Sequence, residues 1–104
     1  MRPSEFLEHA VLDVREGQSA AFEAAIAEAL PLIAASDGFL GLQVLPSVEA
    51  PGRRYLLLVR WRSVADHDPG FRSSARYPRW KALLHHFYEP FPTVEHYGPP
   101  VADG

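Results

Sequence analysis

The side chains best suited to chemistry are concentrated in one stretch of the chain, residues 61–80, which reads WRSVADHDPGFRSSARYPRW. It combines aromatic rings with groups that can exchange a proton or bind an anion: Trp61, His67, Phe71, Arg72, Tyr77 and Trp80. An imidazole titrates near neutral pH, a guanidinium pairs with anions, and large aromatic rings provide flat apolar walls. Because so many of these groups occur together, we expect this stretch to form the wall of a pocket.

Other kinds of chemistry are excluded by what the sequence lacks. It contains no cysteine, so disulfides, thiolate nucleophiles and Cys-ligated metals are ruled out. It contains neither a Gly-rich phosphate loop nor a GxSxG elbow. The neighbouring His85 and His86 would point about 100° apart on a helix, which suits a single metal ion poorly. His9 and His96 could meet only if their strands are neighbours and share a face, so we expect no metal site.

Length, charge and hydropathy narrow the class of protein. The 104 residues suffice for one domain, which we expect to span 1–104 with a loose tail at 98–104. A net charge of −3 provides no basic surface for nucleic acid. No apolar run reaches the roughly 20 residues of a membrane span or has the form of a signal peptide. Since the absence of cysteine also suits a reducing compartment, we expect a cytoplasmic protein without a nucleic-acid or membrane partner.

The elements that must position the 61–80 stretch can be predicted from hydrophobic periodicity. Alternating or continuous apolar runs predict four strands, at 6–15, 39–46, 54–62 and 91–97. Apolar positions at helical spacing predict two main helices, at about 18–36 and 74–88. Between them, Ser63 and Asp66 form a capping-box pattern for a short helix. The order β-α-β-β-α-β is that of the ferredoxin-like α+β fold, with both helices on one face of a four-stranded antiparallel sheet.

Glycine and proline mark the ends and irregularities of these elements. Gly38 follows the first helix and is free to take the left-handed conformation that ends it. Pro31 lies inside that helix and predicts a kink or a tightened last stretch. Gly41 within the second strand predicts a bulge or a close backbone approach. Pro51-Gly52 predicts the turn of a hairpin that joins the second and third strands.

The third predicted strand has apolar residues on both of its faces. The face toward the helices is predicted to hold Ala10, Leu12 and Val14 from the first strand, and Tyr55, Leu57, Val59 and Trp61 from the third. Two helices can cover only one face of the sheet, so a single subunit would leave the other apolar face in water. We therefore expect a symmetric homodimer, with an interface that contains His9, Val11, Leu56 and Leu58.

A set of residues spread over nearly the whole chain forms a family pattern: Glu16-Gly17, Phe22, Asp37-Gly38-Phe39, Trp61, His67, Phe71-Arg72, Ser74, Tyr77, Trp80 and the run HHFYEPFPTVEHY at 85–97. The pattern resembles the antibiotic biosynthesis monooxygenase family. The resemblance implies a dimeric α+β barrel, in which two ferredoxin-like units face each other through their sheets. Members of the family include cofactor-free oxygenases of anthrone or quinol substrates, haem-degrading enzymes and proteins of unknown role.

Within the family, the resemblance favours the cofactor-free oxygenases, because Ala10 stands where haem-degrading members carry an asparagine. It implies a monooxygenase without a cofactor, acting on a small aromatic or phenolic substrate of the quinol or anthrone kind. His67 would then be the base, Arg72 would stabilise an oxyanion, and Tyr77 would offer a hydroxyl. The side chains expected to bind the substrate ring are Tyr55, Trp61, Phe71 and Trp80.

Each of these residues also has a purely structural interpretation. Trp61 and Trp80 lie at core spacing, and large aromatic residues dominate such cores. His67 could cap the short helix, and Arg72 could be solvated or ion-paired. Two alternatives to an enzyme therefore remain. One is a non-catalytic dimer that binds a small hydrophobic molecule, and the other is an accessory dimer whose cavity is filled by its own aromatic residues.

Overall fold

The four strands and two main helices occur in the order β-α-β-β-α-β in the computed structural model, which describes residues 5–104. The strands are β1 (Phe6–Asp13), β2 (Phe39–Pro46), β3 (Arg54–Trp61) and β4 (Val94–Tyr97), and the helices are α1 (Ser19–Ala34) and α2 (Tyr77–Leu84). An irregular helical segment, Asp66–Phe71, precedes α2, and a 3₁₀ turn, His85–Phe87, follows it. The predicted ferredoxin-like fold is confirmed. The single domain stays a prediction, and its first four residues lie outside the described part.

The two central strands of the sheet are β1 and β3, because the strand order is β2-β3-β1-β4, and all neighbours are antiparallel. β1 pairs with β3 along its whole length, from Phe6 opposite Trp61 to Asp13 opposite Arg54. β2 and β3 form the predicted hairpin. The register between them shifts between Phe39 and Gly41, which confirms the bulge predicted at that glycine.

One face of the sheet is buried under the helices. The strand residues predicted to face the helices are all buried: Ala10, Leu12, Val14, Tyr55, Leu57, Val59 and Trp61. The helices add Phe22 and Ile33 from α1, and Trp80 and Leu84 from α2. Burial of these large apolar side chains is the main force that holds the helices on the sheet.

The other face of the sheet is apolar and uncovered in a single chain. Val11 and Leu45 are 40% and 42% exposed on it, and Leu56 and Leu58 are partly exposed beside them. The register pairs Leu56 with Val11 and with Leu45, so these side chains form one continuous strip. The strip contains three of the residues from which the homodimer was expected.

The ends of the elements follow local chemistry. Pro31 leaves α1 unbroken, but the Ser36 amide donates to the carbonyl of Ile33, so the end of the helix is tightened as predicted. Gly38 has φ of +77° and confirms the left-handed conformation after α1. β4 begins at Val94 rather than at 91, since Pro90 and Pro92 have no amide to donate to a neighbouring strand. Among residues 5–104, no helix is long and apolar enough to cross a membrane.

Candidate functional site

A cavity of about 60 Å³ lies between the buried face of the sheet and the helical layer. Glu8, Ala10 and Leu57 from the central strands form its floor. Its helical wall comes from the stretch singled out in the sequence, and contains His67, Phe71, Arg72, Tyr77 and Trp80. Five of the side chains proposed from the sequence as site residues therefore come together at one cavity.

The aromatic residues provide flat walls for the cavity. Phe71 packs edge-on against Tyr77 and Trp80, with ring centroids 5.4 and 5.5 Å apart. The segment before β4 adds Phe91, whose side chain is 60% exposed and packs edge-on against His85 at 4.9 Å. Because Phe91 is the most exposed of these rings, we regard it as the mouth of the cavity.

Two of the residues predicted to bind a substrate ring do not line the cavity. Tyr55 lies toward the opposite end of β3, where it packs on Phe22 at 4.9 Å and donates to Oε2 of Glu23 at 2.6 Å. Burial, followed by the bond to Glu23, raises the pKa of Tyr55 to about 12. Trp61 is fully buried behind the floor, and its Nε1 donates to Oε1 of Glu8 at 2.9 Å. Trp61 can therefore act on the cavity only indirectly, through lining residues that it contacts, such as Glu8 and His67.

Glu8 is a cavity side chain that the sequence reasoning missed. It is only 4% exposed and contributes a carboxyl group to the cavity floor. Burial raises its pKa to about 7, against the opposing effects of the Trp61 hydrogen bond and the Arg72 charge. A signal for it was present, because the alternation that turns Ala10 and Leu12 inward also turns Glu8 inward.

His67 lies between Glu8 and the surface of the protein. Its ring stacks on Trp61, with centroids 5.4 Å apart and planes 24° from parallel. Its Nε2 lies 3.4 Å from Oε1 of Glu8, and its Nδ1 lies 2.8 Å from Nε2 of His96. Burial and, to a smaller extent, the charges of Arg72 and His96 together lower the pKa of His67 to about 4. His67 is therefore neutral at pH 7 and a weaker base than a free imidazole.

Arg72 is the cation nearest to these groups. Its Nη1 donates to Oδ2 of Asp68 at 3.3 Å, whereas its Nε is buried and has no hydrogen-bond partner. A buried N–H without an acceptor is destabilising unless a ligand or water completes it. Since Arg72 also lines the cavity, it has a spare donor available for an anionic group bound there.

Tyr88 is a second cavity residue that the sequence assigned only to the core. It is buried and lines the cavity. Burial raises its pKa, and the nearby charge of Glu8 raises it further. Tyr88 therefore keeps its proton at neutral pH. The sequence signal was its position on the same helical face as Trp80, which does not distinguish a cavity wall from solid core.

His9 and His96, the two histidines that could have met across neighbouring strands, do not come together. β1 and β4 are neighbours, but the register pairs His9 with Glu95 and Glu8 with His96, so His9 and His96 lie on opposite faces of the sheet. Within the part of the chain that the structure describes, no three His, Asp or Glu side chains are grouped as metal ligands.

Known proteins are similar to this chain in both sequence and fold. The family model for "Antibiotic biosynthesis monooxygenase" matches residues 6–83. The uncharacterized protein YczJ of Bacillus subtilis is 46% identical over 90 residues, which cover 86% of this chain and 94% of YczJ.

Solved structures extend the comparison to the fold. A Bordetella bronchiseptica protein described as an antibiotic biosynthesis monooxygenase is 35% identical and matches with a TM-score of 0.88, over 94% of this chain and 99% of its own. SnoaB, a cofactor-independent oxygenase from Streptomyces nogalater, is 17% identical and matches with a TM-score of 0.73, over 97% of this chain and 96% of its own. At that identity, the likeness to SnoaB concerns the fold alone.

Proposed function

Because this chain belongs to the antibiotic biosynthesis monooxygenase family, we propose that it is a cofactor-independent monooxygenase for a small aromatic or phenolic substrate of the quinol or anthrone kind. One observation carries the proposal. A buried carboxyl group, Glu8, whose pKa is raised to about 7, lies in the floor of a cavity walled by aromatic rings. A base of that pKa can take a proton from an acidic phenol or enol at neutral pH.

The reaction requires only the substrate and molecular oxygen. In an anthrone-like molecule, a CH₂ group and O₂ become a C=O group and water. Glu8 takes one proton from the CH₂ group, the resulting carbanion passes one electron to O₂, and the two radicals combine to a peroxide. The peroxide oxygen takes the proton back from Glu8. Loss of the second C–H proton to Glu8 then breaks the O–O bond, and the expelled hydroxide takes that proton to become water.

Glu8 suits the role of base better than His67, which the sequence suggested. Proton transfer is most efficient when the pKa of the base lies near the operating pH. The pKa of Glu8 is raised to about 7, whereas that of His67 is lowered to about 4. We therefore assign proton removal to Glu8 and place His67 behind it.

Charge on the substrate would be stabilised from the helical wall. Deprotonation of the substrate creates an oxyanion or a delocalised carbanion in a space with little water. There, a fixed hydrogen-bond donor stabilises the negative charge strongly. The buried Nε of Arg72, which has no partner within the described chain, can supply that donor. The rings of Phe71, Tyr77 and Trp80 would hold the aromatic skeleton.

The size of the cavity favours a second candidate, a non-catalytic binding or accessory dimer of the same fold. About 60 Å³ is less than the roughly 150 Å³ in which an apolar cavity holds benzene. A substrate ring must therefore displace the exposed Phe91 at the mouth. If Phe91 stays in place, the cavity holds little more than water and the protein has no room for chemistry.

The proposal includes a homodimer formed through the uncovered sheet face. The strip of Val11, Leu45, Leu56 and Leu58 is the apolar surface that a second copy would cover. The helices and the cavity lie on the other side of the sheet, so association through this strip leaves the mouth open.

Oxygen uptake by the metal-free protein tests the function. We expect consumption of O₂ above the spontaneous rate with an anthrone and hydroquinone panel between pH 6 and 8. Glu8→Gln should lower the rate by on the order of a hundredfold or more, whereas the exposed Glu28→Gln control should not change it. No turnover above the spontaneous rate would contradict the proposal. If tryptophan fluorescence still reported binding without product, the non-catalytic candidate would replace it.

A further inference from the structure

Glu8, His67 and His96 form a continuous line from the cavity floor to the protein surface. Oε1 of Glu8 lies 3.4 Å from Nε2 of His67, and Nδ1 of the same ring lies 2.8 Å from Nε2 of His96. Glu8 and His67 are buried, at 4% and 3% exposed, whereas His96 lies exposed on the edge strand β4. The register explains the alignment, since it places His96 directly opposite Glu8 and on the same face.

We propose that His67 and His96 form a proton relay that connects Glu8 with bulk solvent, so that the carboxyl group can gain or lose a proton while a ligand fills the mouth of the cavity. The existence of the relay does not depend on the proposed function. Only its purpose, the supply and removal of the proton used in the reaction, rests on that function. His96 does not line the cavity and acts through His67, so it is a positioning residue rather than a catalytic one.

The geometry allows a proton to pass without a charged histidine. When Glu8 is ionised, Nε2–H of His67 donates to the carboxylate, and Nδ1 of His67 accepts from Nε2–H of His96. When Glu8 is neutral, its O–H donates to Nε2 of His67, and Nδ1–H of His67 donates to Nε2 of His96. Passing one proton outward from Glu8 therefore changes His67 from its Nδ1–H form to its Nε2–H form, while His96 gains a hydrogen on Nε2 and releases one from Nδ1 to water.

The charged and titratable groups around the line favour this neutral route. The Arg72 charge disfavours an imidazolium at either His67 or His96, and Asp68 opposes it only in part. Tyr88, which also lines the cavity, keeps its proton because burial and then the Glu8 charge raise its pKa. Trp61 is a donor only and cannot carry a proton onward. The two histidines are thus the groups beside Glu8 that can both accept and release a proton.

A route of this kind matters because a bound ring would cover the carboxyl group of Glu8, which is already only 4% exposed. The floor around Glu8 is apolar, with Ala10 and Leu57 beside it. The mouth, which Phe91 marks, is the opening that a substrate would block. Without the relay, Glu8 would keep whichever protonation state it had when the substrate entered.

The tautomer of His67 tests the relay without any need for turnover. Imidazole ¹⁵N chemical shifts distinguish Nε2–H from Nδ1–H in the intact protein. Between pH 5 and 9, we expect a neutral His67 that changes from Nδ1–H to Nε2–H as Glu8 ionises near pH 7. The change should be absent from Glu8→Gln, whose amide does not titrate. A single tautomer across the whole range in the unsubstituted protein would overturn the relay.

Substitution of the outer histidine tests the second step. In His96→Phe, the Nδ1–H form of His67 has no acceptor, and an unpartnered buried donor is destabilising. Neutral Glu8 is then disfavoured, and the midpoint of the tautomer change should fall by about one pH unit. His86→Phe, a control at an exposed histidine outside the cavity, should leave the midpoint unchanged. An unchanged midpoint in His96→Phe would remove His96 from the relay.

The relay and the proposed function fail in distinguishable ways. If the tautomer change behaves as expected but no substrate is oxidised, the relay stands and the proposed function falls. If oxygen is consumed while His67 keeps one tautomer, the function stands and the relay falls. When both hold, the pH profile of oxygen uptake should shift in His96→Phe in the same direction as the tautomer midpoint.

Discussion

Burial acts in opposite directions on the two titratable side chains that lie next to each other at the cavity floor. It raises the pKa of Glu8 to about 7 and lowers that of His67 to about 4, because an environment of low polarity disfavours both charged forms. Between about pH 4 and 7 the pair is therefore held mainly in its neutral state. The carboxyl group of Glu8 is therefore ready to change its charge near neutral pH.

These shifts predict how the free energy of unfolding depends on pH. The folded state keeps a proton on Glu8 that the unfolded chain loses above about pH 4.5, so this contribution to stability declines up to about pH 7. His67 is unprotonated when folded but protonated when unfolded between about pH 4 and 6.5, so its contribution rises over that range. In the unsubstituted protein, the decline due to Glu8 and the rise due to His67 largely cancel.

In Glu8→Gln, the pH dependence of the free energy of unfolding should show the contribution of His67 without that of Glu8. We expect the free energy of unfolding of this variant to rise by about 3 kcal/mol between pH 4 and 6.5, relative to the unsubstituted protein. The lowered pKa values of His85 and His96 add a rise of the same sign to both proteins. Urea titrations at a series of pH values measure the difference. Parallel curves for Glu8→Gln and the unsubstituted protein would show that the pKa of Glu8 is not raised.

The sequence predicted the helical wall of the site better than its floor. His67, Phe71 and Arg72 were found because their types and spacing stand out within one stretch. Glu8 was missed because a single glutamate in an amphipathic strand is normally solvated. Its burial depends on Trp61, which is far away in sequence and meets it only through the β1–β3 register. Strand alternation alone does not reveal such a partner.

At the scale of elements, the irregular segment Asp66–Phe71 positions the helical wall. Asp66 anchors its start, since it accepts from Ser63 Oγ at 2.9 Å and from the Arg62 guanidinium at 3.0 Å. The side chain of Asp66 also fills the space where a Cβ on Gly38 would lie. The turn after α1 and the start of the segment are therefore packed directly on each other.

Gly38→Ala should therefore disturb the segment that carries His67. Two effects add, because Gly38 has φ of +77° and an added Cβ would overlap the Asp66 side chain. Gly17 is a matched control, with the same φ of +77° but no atom within 4 Å of an added Cβ. We expect Gly17→Ala to lower the free energy of unfolding by about 1 kcal/mol from backbone strain alone.

The comparison of the two alanine variants isolates the contact with Asp66. Gly38→Ala should lower the free energy of unfolding by at least about 1 kcal/mol more than Gly17→Ala. It should also lower oxygen uptake, which Gly17→Ala should leave unchanged. Denaturant titration and the uptake assay measure both effects. Equal losses of stability in the two variants would mean that the Asp66 side chain moves away freely and does not anchor the segment.

The predicted ends of strands and helices were correct where one sequence signal determined them, and they were displaced where several signals competed. β2 was predicted to the residue, because a mostly apolar run begins directly after Gly38 and ends at Pro46. The second helix was predicted at 74–88 but spans Tyr77–Leu84 and continues as a 3₁₀ turn. Its apolar face continues through Phe87 and Tyr88, so periodicity alone could not show that the hydrogen bonding changes before them.

At the scale of the whole molecule, the uncovered sheet face is the main feature that a single chain leaves unexplained. Element order was sufficient to predict the fold, because two helices and four antiparallel strands of this order have few ways to form one core. What covers the second face of the sheet could not be predicted in this way. Alternation shows that Leu56 and Leu58 point away from the helices, but it cannot show what covers them.

Leu58→Glu tests the proposed dimer. Leu58 pairs with His9 on one side and Gln43 on the other, so a glutamate there would place a charge in the middle of the proposed interface. We expect the unsubstituted protein to sediment as a dimer at micromolar concentration and Leu58→Glu as a folded monomer. Val48→Glu, at a side chain that is 84% exposed outside the strands, should remain a dimer. A folded monomer before any substitution would refute the interface.

The central claim is that the buried carboxyl group of Glu8 takes a proton from a bound aromatic substrate. Mixing the protein with anthrone under strictly anaerobic conditions tests it most directly, because the oxidation cannot proceed and the substrate anion should accumulate. We expect the visible absorbance of the anthrone anion with the unsubstituted protein and with Glu28→Gln, and little or none with Glu8→Gln. Anion formation of equal extent with Glu8→Gln, or none with any of the three proteins, would contradict the claim.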